Sequence, residues 1–269
     1  MAFTTSKDGT KIGYSTIGSG PAMVLVDGAL CWRASGPSGP LAEQLKDRFT
    51  VTTYDRRGRG ESGDTKPYAI DREIEDLAAV IEVAGGSAAI YAISSGVGLA
   101  LAAADAGLPI TKMVLYEMPI FTDGSHSALP GYVEKLNELV GKGDNAAAIK
   151  LFMRNVGVPG FGIMMMQLMG IIGKLAPVAP TLPYDTAFVA PYWTGKPVPA
   201  GAWPNATMPV LVIGGGKSDA WMQNAQLAVA NALPNATHRT LPGQNHMVAA
   251  TAIAPLIKEF LREPERLAA

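Results

Sequence analysis

A chain of 269 residues is long enough for one large domain or two small ones, with a sizeable buried core. Hydrophobic residues make up 48% and charged residues 17%, which excludes a disordered or highly charged chain. Lys plus Arg total 22 against 23 Asp plus Glu, so charge gives no reason to expect nucleic acid or an anionic membrane as partner. The single cysteine, Cys31, excludes an internal disulfide and any Cys-rich zinc site. The start, MAFTTSKDGT, has no basic stretch followed by an apolar run, and the longest apolar stretch, Phe161 to Ile172, is too short to span a bilayer. The expectation is a soluble, cytoplasmic protein that carries no cofactor.

The first part of the chain alternates strand and helix patterns. Lys11 to Thr16, Ala22 to Val26 and Phe49 to Tyr54 read as strands. Ile74, Leu77, Ala78 and Ile81 repeat at helical spacing behind an acidic N-terminal end, and Gly85-Gly86 stops that helix. Ala88 to Ile93 is a strand, Gly96 to Ala106 is Ala- and Leu-rich and helix-prone, and Lys112 to Tyr116 is a strand. Continuous apolar strands alternating with helices predict a parallel sheet covered on both faces. The pattern then breaks for about ninety residues. Gly131 to Val140, Ala146 to Arg154 and the Met-rich Phe161 to Leu175 are helical, followed by a stretch loaded with Pro up to Pro209. Strand Val210 to Ile213, helix Ala220 to Ala232, strand Ala236 to Leu241 and a helix near Pro255 to Arg262 resume the alternation. This predicts an α/β core of residues 1–119 and 206–269 with a helical lid inserted at 120–205.

The segment IYAISSGVGLALAAA places Ser94 directly between a strand and a helix, with small residues, Ala92 and Gly96, two positions to either side. A nucleophile elbow has this requirement, because its sharp turn leaves no room for larger flanks. Small-x-Ser-x-small also arises as an ordinary Ser-capped turn, so the rest of the chain has to decide. A hydroxyl nucleophile needs a base, and there are three histidines. His126 begins the insertion and His238 lies in an alternating strand, whereas His246 sits in the polar loop PGQNH between the last strand and last helix. An orienting carboxylate is expected after another strand. Asp219, past Val210 to Ile213, completes the order Ser94, Asp219, His246, with Asp123 as the competing acid.

With these residues the chain resembles the α/β-hydrolase family, in particular its capped esterase-like and cofactor-free haloperoxidase-like members. The resemblance rests on MVLVDGAL, on YDRRGRGES as the family's D-x-R-G-x-G-x-S stretch, on the Ser94 elbow, on VLVIGGGKSD and on GQNH. It implies an eight-stranded, mostly parallel sheet with helices on both faces and a lid between the sixth and seventh strands. It also implies an oxyanion hole built from the backbone N–H groups of Ala29 and Ser95, each typically contributing about 2.7–4 kcal/mol. Asp55, Arg57 and Ser62 read as structural, and Arg56 and Arg59 as solvated. Two positions depart from the family: Asp27-Gly28 replaces the common His-Gly, and the elbow is A-x-S-x-G. A carboxylate at Asp27 would oppose a developing oxyanion unless it points away, pairs with a cation or is protonated.

GGGKS around Gly216 lacks the earlier glycine of a phosphate loop, since Leu211 stands there, and SGVGLAL has Leu101 where a dinucleotide fingerprint needs its third glycine. In the insertion, Met164, Met165, Met166 and Met169 either pack a lid helix on the core or line a pliable apolar pocket, with Trp32, Trp193 and Trp203 as further walls. The reading is a serine hydrolase of small, hydrophobic carboxylic esters working through an acyl-enzyme, with no metal or organic cofactor. Its partner is then a small-molecule ester or acyl substrate, with no nucleic acid and no membrane; self-association is left open. Lyase, C–C hydrolase, acyltransferase or perhydrolase chemistry in the same site, and a receptor-like homologue that only binds, are the alternatives.

Overall fold

The computed structural model describes residues 2–262. One eight-stranded sheet runs through the molecule in the order β1-β2-β4-β3-β5-β6-β7-β8. Its strands are β1 (Ala2–Thr5), β2 (Lys11–Ile17), β3 (Ala22–Val26), β4 (Thr50–Tyr54), β5 (Ala88–Ile93), β6 (Ile110–Tyr116), β7 (Val210–Gly215) and β8 (Ala236–Leu241). The β1–β2 and β2–β4 pairs are antiparallel and the rest are parallel. Every residue of β5 and β7 is buried, as expected of central strands covered on both faces.

One sheet face carries α2 (Ile70–Val83), α3 (Ser95–Asp105) and α9 (Ala220–Ala232), with Leu77, Ile81, Leu99, Leu101 and Val229 in their shared core. The other carries α1 (Ser38–Leu45) and α10 (Ala250–Arg262), with Leu41, Leu45, Ile253 and Ile257 packed on Tyr91 and Ile213. Between β6 and β7 run α4 (Tyr132–Gly141), α5 (Asn145–Asn155), α6 (Gly160–Leu168), α7 (Ile171–Leu175) and α8 (Leu182–Val189). Sequence patterning treats α6 and α7 as one Met-rich helical segment and places α8 within the stretch loaded with Pro. Gly170, left-handed at φ 70°, separates α6 from α7. Pro183 falls in the first turn of α8, where a missing N–H costs nothing. The inserted helices share a cluster of Tyr132, Leu136, Ile149, Ile163, Ile172 and Leu182 with Leu30 of the loop after β3. Phe188 and Val189 of α8 belong instead to the main core, against α3.

Arg56, Arg57 and Arg59 follow β4 and are all buried, which corrects the expectation that Arg56 and Arg59 are solvated. Arg57 is bidentate to Asp76 (2.7 Å to each oxygen) and reaches Asp8 at 3.0 Å. Arg56 is bidentate to Glu73 of α2 (2.7 and 2.9 Å) and reaches Asp185 of α8 at 2.6 Å, while Arg59 donates to the other Asp185 oxygen at 2.5 Å. Buried guanidinium groups persist only when paired and hydrogen-bonded, and here acids from α2 and α8 supply the pairing. Asp27, also buried, accepts from Ser38 Oγ at 2.6 Å. Burial pushes its carboxyl up from 3.8 to about 6, against the opposing pull of Ser38, Arg59 and Arg56.

Two predictions follow from these charges. Arg57→Met leaves Asp76 buried without its counter-ion and is expected to cost about 3–5 kcal/mol, read as a lowered midpoint in urea unfolding. For Asp27, the folded pKa lies above the unfolded one, so the folded protein holds that proton more tightly. Its contribution is full below about pH 4 and lost as pH rises through 6, an effect on the order of 3 kcal/mol. Asp27→Asn should therefore gain stability relative to wild type between pH 4 and pH 7.5, and a pH-independent difference between the two would refute this assignment.

Candidate active site

Open α/β sheets present their binding crevice at the carboxyl ends of the strands. Ser94 sits there, between β5 and α3, at φ 59° and ψ −133°. This conformation is costly for a side chain with a Cβ and persists only where the surroundings enforce it. The Ser94 N–H donates to Tyr116 O of β6 at 2.9 Å. Close approach explains the small neighbours: a Cβ on Gly96 would lie 2.6 Å from Val26 O, and one on Gly28 would lie 2.7 Å from Ser94 Cβ. The A-x-S-x-G elbow therefore forms, with Ala92 fully buried in β5.

His246 stands in the loop after β8, where its neighbour Asn245 accepts from Tyr116 Oη at 2.6 Å. Its Nδ1 lies 2.9 Å from Oε2 of Glu117, whose side chain is completely buried. Glu117 follows β6 directly and is left-handed at φ 51°. Its other oxygen, Oε1, accepts from Gly215 N–H at 2.7 Å and Ser218 Oγ at 2.5 Å. A Cβ on Gly215 would come within 2.9 Å of Glu117 Oε1 and 2.7 Å of Gln244 O. The glycine run at the end of β7 thus admits the carboxylate and the histidine loop together. A carboxylate on Nδ1 fixes the tautomer that leaves Nε2 as a lone-pair base. No hydrogen bond joins Ser94 to His246 among the described residues; such bonds commonly tighten only when substrate is bound.

Asp219, expected as the acid, is exposed at the start of α9 and has no hydrogen bond to His246. Asp123 is exposed too and is tied to Ser125 and Asn224. The carboxylate bonded to His246 is that of Glu117, not Asp219. The register pairs Ile93 with Tyr116, so Glu117 leaves the sheet beside Ser94. The sequence signal for Glu117 is an acid immediately after the strand next to the elbow, six residues before Asp123, the competing acid on that side.

Ala29 and Leu30 lie in the loop after β3, with Leu30 at φ 59°. The N–H groups of Ala29 and Ser95 make no hydrogen bond to another group among the described residues. The Asp27 carboxylate is directed into the turn 31–38, with Oδ1 on Ser38 and Oδ2 against Gly36. Trp32 and Trp193 pack with Ala29 and Met166 against the inserted helices' cluster. Met164, Met165 and Met169 are instead 50%, 37% and 65% exposed and lie outside it, whereas Met166 and Met153 pack against the cluster. His126 stacks on Trp221 and His238 lies half-buried in β8, neither of them near Glu117 by any hydrogen bond. No single described helix is long and apolar enough to cross a membrane.

A profile of the alpha/beta hydrolase family matches residues 18–258. The crystal structure of an alpha/beta hydrolase from Sphaerobacter thermophilus DSM 20745 is 44% identical and superposes with a TM-score of 0.88, covering 97% of this chain and 100% of that one. An enol-lactonase from Burkholderia xenovorans LB400 is similar at 20% identity and a TM-score of 0.70, over 97% of this chain and 100% of its own. A thermophilic esterase from Thermogutta terrifontis follows at 21% identity and a TM-score of 0.67, over 97% of each chain. The last two support the fold alone. The strand order, the strained serine at the elbow and the match over nearly the whole length agree: the chain belongs to the alpha/beta hydrolase family.

Proposed function

We propose that the protein is a serine hydrolase cleaving a small, hydrophobic carboxylic ester, with Ser94 as nucleophile, His246 as base and Glu117 as the acid that orients it. The observation that carries this reading is the bond from His246 Nδ1 to the buried Glu117, on the strand adjoining the elbow. His246 Nε2 takes the Ser94 proton as Oγ attacks the ester carbonyl. The oxyanion is received by the N–H groups of Ala29 and Ser95, at the start of α3, where the helix dipole also favours negative charge. His246 returns the proton to the leaving alkoxide, and water repeats the sequence on the acyl-enzyme to release acid and free serine. Glu117 is held in place by Gly215 N–H and Ser218 Oγ. The inserted helices act as a cap whose apolar cluster, continued by Trp32 and Trp193, favours a hydrophobic acyl or alcohol group. The Asp27 carboxylate faces Ser38 and Gly36, which supports its standing clear of a developing oxyanion.

The test is turnover of p-nitrophenyl esters from acetate to decanoate. Ser94→Ala should abolish it. Glu117→Gln should lower kcat by roughly 10²–10⁴-fold through loss of the tautomer-fixing charge, with the protein still folded. Asp219→Asn, exposed and unattached, should stay within about twofold of wild type, as surface changes usually do. The reverse ranking of the two acids would overturn the assignment of Glu117. Wild-type inactivity on every ester, together with no labelling of Ser94 by a fluorophosphonate, would overturn the hydrolase reading.

A further inference from the structure

We propose that Asp185, brought in by the inserted helix α8, is a positioning residue that aims both oxyanion-binding N–H groups. The proposal rests on the serine-hydrolase reading and extends it to a residue that touches no substrate. Its carboxylate receives three donors. Oδ1 accepts from Ser95 Oγ at 2.8 Å and from Arg56 Nη1 at 2.6 Å, and Oδ2 accepts from Arg59 Nη2 at 2.5 Å.

Each donor leads to the site. Ser95 is the residue after the nucleophile, so the first bond fixes the residue that owns one N–H. Arg59 Nη1 donates to Gly28 O at 2.6 Å and to Cys31 O at 3.4 Å, and Arg56 Nη1 donates to Asp27 O at 3.2 Å. Gly28 C=O and Ala29 N–H belong to one planar trans peptide and point in opposite directions. Gripping Gly28 O from the arginine side therefore turns Ala29 N–H toward the other side. The same carboxylate thus holds one N–H through Ser95 and aims the other through Arg59.

A need to seat α8 does not account for this arrangement. Phe188 packs against Gly98 of α3, and Tyr184 stacks on Tyr68 at 3.7 Å and bonds to Asp64 at 2.9 Å. These contacts seat the helix without drawing on Asp185. A buried ion network is weak as a source of stability compared with apolar packing, but it supplies directional donors that apolar side chains lack.

The experiment compares wild type, Asp185→Asn, Ser95→Ala and Tyr184→Phe, measuring kcat and KM per active site titrated with a fluorophosphonate, alongside thermal melting. Asp185→Asn is expected to lower kcat about 10- to 100-fold with KM nearly unchanged, and to slow fluorophosphonate labelling in parallel. Ser95→Ala should lose a smaller part of kcat, about three- to tenfold. Tyr184→Phe, which weakens only the seating of α8, should lower the melting temperature and leave kcat per site intact. Asp185→Asn with kcat and labelling within about twofold of wild type overturns the proposal. If Asp185→Asn does not fold, Ser95→Ala decides, and an unchanged kcat there overturns it. If wild type labels but turns over no ester, the labelling rate replaces kcat as the readout. If wild type does neither, the serine-hydrolase reading fails first and takes this proposal with it.

Discussion

The guanidinium groups of Arg56 and Arg59 lie beneath the loop after β3 with no access to water, and an unpaired charge there would cost several kcal/mol. Glu73 comes from α2, which is close along the chain, but Asp185 comes from more than a hundred residues further on. The core can close over its arginines only when the insertion has folded back onto it. Burial alone would raise the Asp185 carboxyl; Arg59 and Arg56 outweigh that and hold it below its ordinary value, so it stays charged. What the network provides is direction, since its spare N–H groups point at the carbonyls of Asp27, Gly28 and Cys31.

The network also bears on where the backbone is strained. Outside glycine, the described residues with positive φ are Leu30, Ser94 and Glu117. Each such position costs about 1–3 kcal/mol and survives only where its neighbours determine it. Leu30 is in the loop that Arg59 grips from Gly28 to Cys31, and Ser94 is followed by the residue that Asp185 holds. Glu117 is held by Gly215 N–H, Ser218 and His246. The three strained residues belong to the proposed oxyanion loop, the proposed nucleophile and its proposed acid, so the strain is confined to the candidate site.

The fold was legible because its signals are local. The apolar runs at Ala22–Val26 and Ala88–Ile93 are central strands with the limits that burial on both faces imposes. The turn at Ser94 was legible for a similar reason, because a sharp turn forces small residues at fixed offsets. The Glu117–His246 contact was not, because it depends on β5 and β6 being neighbours in register, and Asp219 has the more familiar place in the chain order. The arginines were misjudged because a cluster of cations looks solvated until its acids are found, and Asp185 lies inside a stretch that its prolines disguise. The methionines at 164, 165 and 169 were apolar enough for a pocket, but helix phase alone does not say which face has a neighbour.

The placement of the insertion relative to the acid has a mechanical consequence. The chain leaves the sheet after Glu117 and returns at Val210, yet β6 and β7 are adjacent, with Tyr116 paired to Ile213. Glu117 is therefore clamped by Gly215 across two neighbouring strands, and its position does not depend on how the helices between them are arranged. The nucleophile side of the site differs, since Ser95 and the arginines meet the insertion directly at Asp185. A displacement of α8 would leave the Glu117–His246 pair intact while releasing the loop after β3 and the residue behind Ser94. Under the proposed assignment, the base is set by the sheet and the receiving N–H groups are set by the insertion.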